Sequence, residues 1–187
     1  MSDDALVRQI ILNNPELCQL LKIIQQLKLP QGALAAGSLR NTVWSILSQQ
    51  PVVFKSDIDV VFFDPQSPVE RDLELYQQLQ QQYPQYRWQV KNEVYMHHYN
   101  FANQAPFKSV SDAIGHFVET PTCIGAYLDG DNALQLIAPH GLHDLTHWIC
   151  RPVPYLRDDA DHMAVFKQRI MQKNWQQQYP QLIVEFK

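Results

Sequence analysis

Two carboxylates spaced one residue apart at the mouth of an apolar run are what most constrains this chain. The run reads Asp57-Ile58-Asp59-Val60-Val61-Phe62-Phe63-Asp64. In a strand, residues i and i+2 share a face. Asp57 and Asp59 therefore project together, and Ile58 and Val60 face the core. Crowded carboxylates repel one another unless a cation or a proton sits between them. Taken alone, the pair also fits the solvent side of any amphipathic strand. The upstream segment makes it more specific. Leu34-Ala35-Ala36-Gly37-Ser38 ends a short apolar run in Gly-Ser, and Leu39-Arg40-Asn41-Thr42-Val43-Trp44 continues at helical spacing. A glycine between a strand and a helix lets backbone approach a ligand, and free N–H groups at the helix start hold phosphate. Ser38 is expected to cap that helix. Oxygen-only ligands such as Asp57 and Asp59 suit Mg²⁺ or Mn²⁺. A phosphate cradle beside such a pair is a constellation for phosphoryl or nucleotidyl transfer.

The rest of the chain supplies a scaffold for that segment. Helical spacing is expected over residues 5–13 and again after Pro15, where Leu17, Leu20, Leu21, Ile24 and Leu27 recur on one side. Residues 32–36 read as the first strand and 39–47 as the helix behind the cradle, with Trp44 and Leu47 inward. Lys55, just before the carboxylate pair, is a further candidate for phosphate contact. Ser67-Pro68-Val69-Glu70 has the form of a capping box, opening a helix to about residue 82 with Val69, Leu73, Tyr76 and Leu79 as its buried stripe. That helix joins the carboxylate strand to a next strand at Trp88-Gln89-Val90, a βαβ-like arrangement in a mixed sheet. Ser109 or Ser111 caps a helix over residues 109–118. Residues 122–128 and 133–138 pair around the turn Asp129-Gly130-Asp131-Asn132. A final helix is expected over residues 157–178, followed by a closing strand or packed tail.

A chain of 187 residues, 45% of them hydrophobic, favours one domain with a proper core. The core of that domain is placed at about residues 30–150, with helical extensions on both sides. The formal net charge of -4 argues against a broad basic surface for nucleic acid. Cys18, Cys123 and Cys150 are widely spaced and odd in number, so buried thiols are expected rather than disulfides or a zinc knuckle. No secretory signal or membrane-length apolar run is visible, and a cytoplasmic protein is expected.

Gly37-Ser38 followed by Asp57-Ile58-Asp59 resembles the signature of the DNA polymerase beta-like nucleotidyltransferase superfamily. Gly37-Ser38-Leu39-Arg40-Asn41 is also similar to the opening of CCA-adding enzyme heads. A small bacterial nucleotidyltransferase family is a closer match. It resembles this chain at Ala36 to Trp44 and Asp57 to Asp64, and again at Trp88 to Asn92, Met96-His97, Ser111-Asp112-Ala113, Thr120 to Asp131 and Ala138 to Leu142. The resemblance implies an α/β (α+β) nucleotidyltransferase-like fold, a mixed sheet flanked by helices. It implies metal-dependent transfer of a nucleoside monophosphate from an NTP, with Asp57 and Asp59 holding Mg²⁺ or Mn²⁺. Gly37, Ser38, Arg40, Asn41 and Lys91 would meet the NTP. A third carboxylate from a neighbouring strand is expected, for which Glu93 and Asp129 are candidates. The acceptor is not specified. The acidic balance ranks a small molecule or a protein ahead of a long nucleic acid.

Two rivals remain. One is a non-catalytic nucleotide-binding or interaction module on the same fold, which a missing third carboxylate would favour. The other is a zinc hydrolase, suggested by His143-Asp144-Leu145-Thr146-His147, which resembles a His-Glu-x-x-His pattern with a shortened acid and no evident third ligand.

Overall fold

The computed structural model describes residues 1–186. Along the chain run α1 (Asp3–Leu12), α2 (Pro15–Gln26), β1 (Ala33–Ala35), α3 (Gly37–Leu47), β2 (Ile58–Phe62), α4 (Arg71–Gln82) and β3 (Trp88–Asn92). There follow α5 (Val110–Gly115), β4 (Gly125–Leu128), β5 (Leu134–Ile137), α6 (His143–Thr146), β6 (Ile149–Cys150), α7 (Pro154–Arg157), α8 (Ala160–Lys173), α9 (Trp175–Gln178) and β7 (Ile183–Val184). The caps follow local chemistry. Ser2 accepts from the Ala5 N–H, Asn14 accepts from the Leu17 N–H ahead of Pro15, and Ser109 accepts from the Asp112 N–H.

The central sheet has the order β3-β2-β1-β4-β5. The β2 and β3 strands are parallel, joined by α4 as the βαβ reading requires. The β1 strand lies antiparallel to both β2 and β4, and β4 and β5 form the hairpin. A mixed sheet flanked by helices is thus the observed architecture, as expected. The β6 and β7 strands pair in parallel as a separate two-stranded sheet, so the closing segment is a strand. Ile58, Val60 and Phe62 are fully buried, as alternation from Asp57 and Asp59 demands. No helix among the described residues is long and apolar enough to cross a membrane. Cys123 and Cys150 are buried free thiols, whereas Cys18 is only half-buried.

Several expectations shift. Ser67 is not a helix cap, because its hydroxyl donates to Asp64 Oδ2 at 2.6 Å and tightens the preceding turn. The helix begins at Arg71, and its inward residues are Leu75 and Leu79. Val69, Leu73 and Tyr76 are exposed. The rotation is pinned by Asp72, which accepts from the Asn92 backbone N–H at 3.0 Å, so positions 72, 75 and 79 share the face toward β3. The expected last helix over residues 157–178 is two helices, α8 and α9, which begin after α7 ends at Arg157. Asp159 caps a new start by accepting from the Asp161 and His162 N–H groups, and Asn174 closes α8 in the left-handed conformation. That break turns Trp175 back into the core.

Candidate functional site

Ala35 pairs with Asp59 on one side and with Gly125 on the other. The carboxyl end of β1 and the start of β2 therefore meet, and α3 leaves from the same corner. Ala36 makes the turn with φ +57°, a left-handed backbone that a β-carbon resists and that is often stored at functional corners. Gly37 is the first residue of α3. A β-carbon there would point at Ser56 Oγ, Arg40 Nη2 and Asp59 Oδ2, each 3.8–3.9 Å away. Those three groups frame a cavity of about 380 Å³.

Asp57, Asp59, Lys91 and Glu93 all line this cavity. Burial first, and the adjacent Asp57 second, push the Asp59 carboxyl up to about 6, against a hydrogen bond from the Gly37 N–H that lowers it. Asp57 is half exposed and pairs with the exposed Arg87 at 3.2 Å. Glu93 follows the end of β3. Burial, then the charges of Asp72 and Asp59, raise it to about 8. In the β2–β3 register the residue directly beside Asp59 is Gln89, an amide that also faces the cavity. Glu93 reaches the same space from beyond the strand end.

Asp129 is not brought here. The start of β4 lies at the site corner, whereas Asp129 follows its far end. Its carboxylate accepts from the Asp131 and Ala133 N–H groups and from Gln135, bonds that hold it below the usual carboxylate range, the Gln135 bond most of all. Ser38 does not cap α3: Ala36 holds the cap position, and the buried Ser38 hydroxyl turns back toward the Ala35 carbonyl at 3.5 Å. The Asn41 side-chain oxygen Oδ1 accepts from Arg40 Nη2 at 2.9 Å, and Lys55 is exposed outside the cavity wall.

Arg40 is more deeply placed than a surface phosphate ligand. It is buried, donates to Thr122 Oγ1, and lies 4.2 Å over the Trp175 ring. Its partner is Glu119, fully buried at 3.6 Å. Arg169, from α8, also grips Glu119 in a two-pronged contact at 2.7 and 3.0 Å. One carboxylate thus serves two guanidinium groups. Desolvation lowers the Arg40 pKa to about 10, with Glu119 opposing and Arg169 reinforcing the drop. Arg169 and Lys173 both reach the cavity. Sequence reasoning missed Glu119, Arg169 and Lys173. The basic residues look like an ordinary solvated helix face, and Glu119 has no local pattern that marks a buried acid.

Among the described residues, one Asp/His cluster could hold a divalent metal: Asp3, His143 and His147. It supplies the third ligand that the histidine pair lacked in sequence. Asp144, the acid proposed as base in a hydrolase reading, accepts from Thr120 at 2.6 Å and meets Arg151 at 3.1 Å. It is therefore already engaged.

Comparisons with known proteins add to this geometry. No curated protein matches the chain. An NMR structure that reveals a CCA-adding enzyme head domain is 36% identical, with 96% of this chain and 94% of that one covered and a TM-score of 0.87. A CCA-adding enzyme with CTP is 13% identical, with a TM-score of 0.60 over 99% of this chain and 43% of that one. A Thermotoga maritima CCA-adding enzyme complexed with tRNA is 14% identical, with a TM-score of 0.61 over 96% and 42%. This chain spans under half the length of the latter two, whose likeness shows the fold. These neighbours overturn the ranking of long nucleic acid as the least favoured acceptor, since one of them is complexed with tRNA. Net charge sums over a whole surface, whereas a ligand meets the local field of a cleft. The nucleotidyltransferase family model matches residues 22–184. With that match and the head-domain likeness over nearly its whole length, the chain belongs to the nucleotidyltransferase family, within the polymerase-β-like superfamily.

Proposed function

We propose that this chain transfers a nucleoside monophosphate from an NTP to an acceptor hydroxyl. The acceptor oxygen attacks the α-phosphorus, the bond to the bridging β-phosphate oxygen breaks, and pyrophosphate leaves. The observation that carries the reading is that Asp57 and Asp59 line one cavity with the side-chain-free Gly37. The donor set is oxygen only, which fits Mg²⁺ or Mn²⁺. Burial, and then Asp57, raise the Asp59 carboxyl, a penalty on its charged form that a bound cation would relieve. A bound divalent ion would supply orientation of the triphosphate and a lower pKa for the attacking hydroxyl.

The chain's own residues do the rest. Gly37 leaves room for phosphate oxygens beside the N-terminus of α3, a place that favours anions. Lys91, Arg169 and Lys173 offset charge on the leaving pyrophosphate. Arg40 acts from beneath, holding the floor through Thr122 and Glu119. Tyr99, Phe107 and His116 give the cavity an aromatic side suited to a base. Glu93 stands as the third acid, ionised when a cation enters. The reading treats the chain as one such domain, supported by a buried apolar cluster that draws on residues from Val7 to Leu182. The relatives' work on tRNA makes an RNA 3′ end the acceptor to test.

A second reading has its own observation. Gln89, not an acid, stands beside Asp59 in the register, which favours a nucleotide-binding module without transfer. Calorimetric titration of each NTP, with and without Mg²⁺ or Mn²⁺, tests binding in the wild type and in Asp57→Asn/Asp59→Asn. Transfer of labelled NMP to RNA 3′ ends then separates the two readings. Metal-dependent binding lost in the double variant, together with transfer, is expected. Binding without transfer supports the module, and transfer retained in the double variant removes both residues from the chemistry.

A further inference from the structure

We propose that Asp3, His143 and His147 form a second metal site, for a zinc-class cation, that clamps α1 to α6. The three side chains come from opposite ends of the sequence, and each offers one ligand atom within 4.8 Å of the other two. The His143 Nδ1 lies 3.6 Å from Asp3 Oδ2, and the His147 Nδ1 lies 3.8 Å from Asp3 Oδ1. In a tetrahedral zinc site with bonds of about 2.0–2.1 Å, ligand atoms sit about 3.4 Å apart. Small rotations of the side chains therefore reach the geometry. The two imidazoles already stack, with 4.0 Å between centroids and planes 26° apart.

The carboxylate is held in place as ligands in metal sites are. The Thr146 hydroxyl donates to Asp3 Oδ1 at 2.8 Å, fixing the face it turns to the histidines. Two imidazoles and one carboxylate suit Zn²⁺, Ni²⁺ or Co²⁺ rather than Mg²⁺, which takes oxygen donors. The site is therefore chemically distinct from the Asp57/Asp59 pair. Its role follows from what α6 touches. The Leu145 carbonyl in the same turn accepts from Trp44 Nε1 at 3.1 Å, so α6 braces α3. A cation joining α1 to α6 fastens the N-terminal helix to the support of the cradle helix. With Asp144 engaged elsewhere, the clamp is structural rather than hydrolytic.

The test uses the untagged 187-residue chain and ZnCl₂, with MgCl₂ as the contrast. One equivalent of Zn²⁺ should bind, and at a hundredfold excess over Kd the Tm should rise by roughly 5–10 °C. His143→Ala, His147→Ala and Asp3→Asn should each weaken binding about tenfold or more. His143 and His147 are 62% and 52% exposed, so their removal leaves packing intact, which near-UV circular dichroism verifies. Binding should persist in Asp57→Asn/Asp59→Asn, which keeps this proposal separate from the transfer reaction. No saturable Zn²⁺ binding by the wild type, or binding unchanged in the histidine variants, overturns it.

Discussion

Replacing Asp59 by asparagine should stabilise the metal-free protein at pH 8 and do almost nothing at pH 4. Burial, and then Asp57, raise this carboxyl from 3.8 to about 6. Because the folded value lies above the unfolded one, the wild type keeps the associated stability below about 3.8 and loses it as pH rises through about 6. The loss amounts to about 3 kcal/mol once the group is ionised in both states. Asparagine has nearly the same shape, and its amide oxygen can still accept from the Gly37 N–H, so little packing is lost. For a chain of this size about 3 kcal/mol corresponds to roughly 6–12 °C in Tm. Thermal unfolding followed by circular dichroism at pH 4, 6 and 8 reads the difference directly. Millimolar Mg²⁺ should raise the wild-type Tm at pH 8 and leave the variant unmoved. An equal gain at pH 4 and pH 8, or a loss at pH 8, would refute the idea that an uncompensated carboxylate strains this corner.

Gly37→Ala should leave the apo fold standing, since the added β-carbon meets its neighbours at ordinary contact distances of 3.8–3.9 Å. It should weaken NTP binding by about tenfold or more in calorimetry, because the methyl occupies the phosphate approach. Glu93→Gln should flatten the alkaline side of the stability profile. The wild type loses stability as pH rises through about 8 while Glu93 ionises, and equilibrium urea unfolding at pH 7 and pH 9 should show a variant without that fall. Glu119→Gln should cost about 3–5 kcal/mol in the same assay, because it removes the one carboxylate that both Arg40 and Arg169 share in the interior. A loss below about 1 kcal/mol, the scale of an exposed ion pair, would show that those guanidinium groups reach solvent instead.

The local grammar of the site was readable from the residues. Alternation from Asp57 to Phe62 sets which side chains share a face, and a Gly-Ser after an apolar run marks a strand-to-helix corner. The βαβ link from β2 to β3 followed from a helical pattern between two strand patterns. Where several apolar residues competed for one face, as in α4, sequence spacing chose Val69, Leu73, Tyr76 and Leu79. Tertiary contact kept Leu79 and put Leu75 beside it, because the Asp72 bond to the Asn92 backbone fixes the helix rotation.

Strand alternation, the strand-to-helix corner and the βαβ link were thus determined by the sequence itself, through side-chain period and turn chemistry that act over a few residues. Only the tertiary structure decided which distant groups share a space. That Glu93 lines the cavity and Asp129 does not depended on which strand ends meet at the β1–β2 corner. The single Glu119 between Arg40 and Arg169 depended on where α8 returns across the fold. The approach of Asp3 to His143 and His147 depended on α1 packing beside α6. Charges and ligands act across space, and the chain separation between such partners leaves no periodic trace in the sequence.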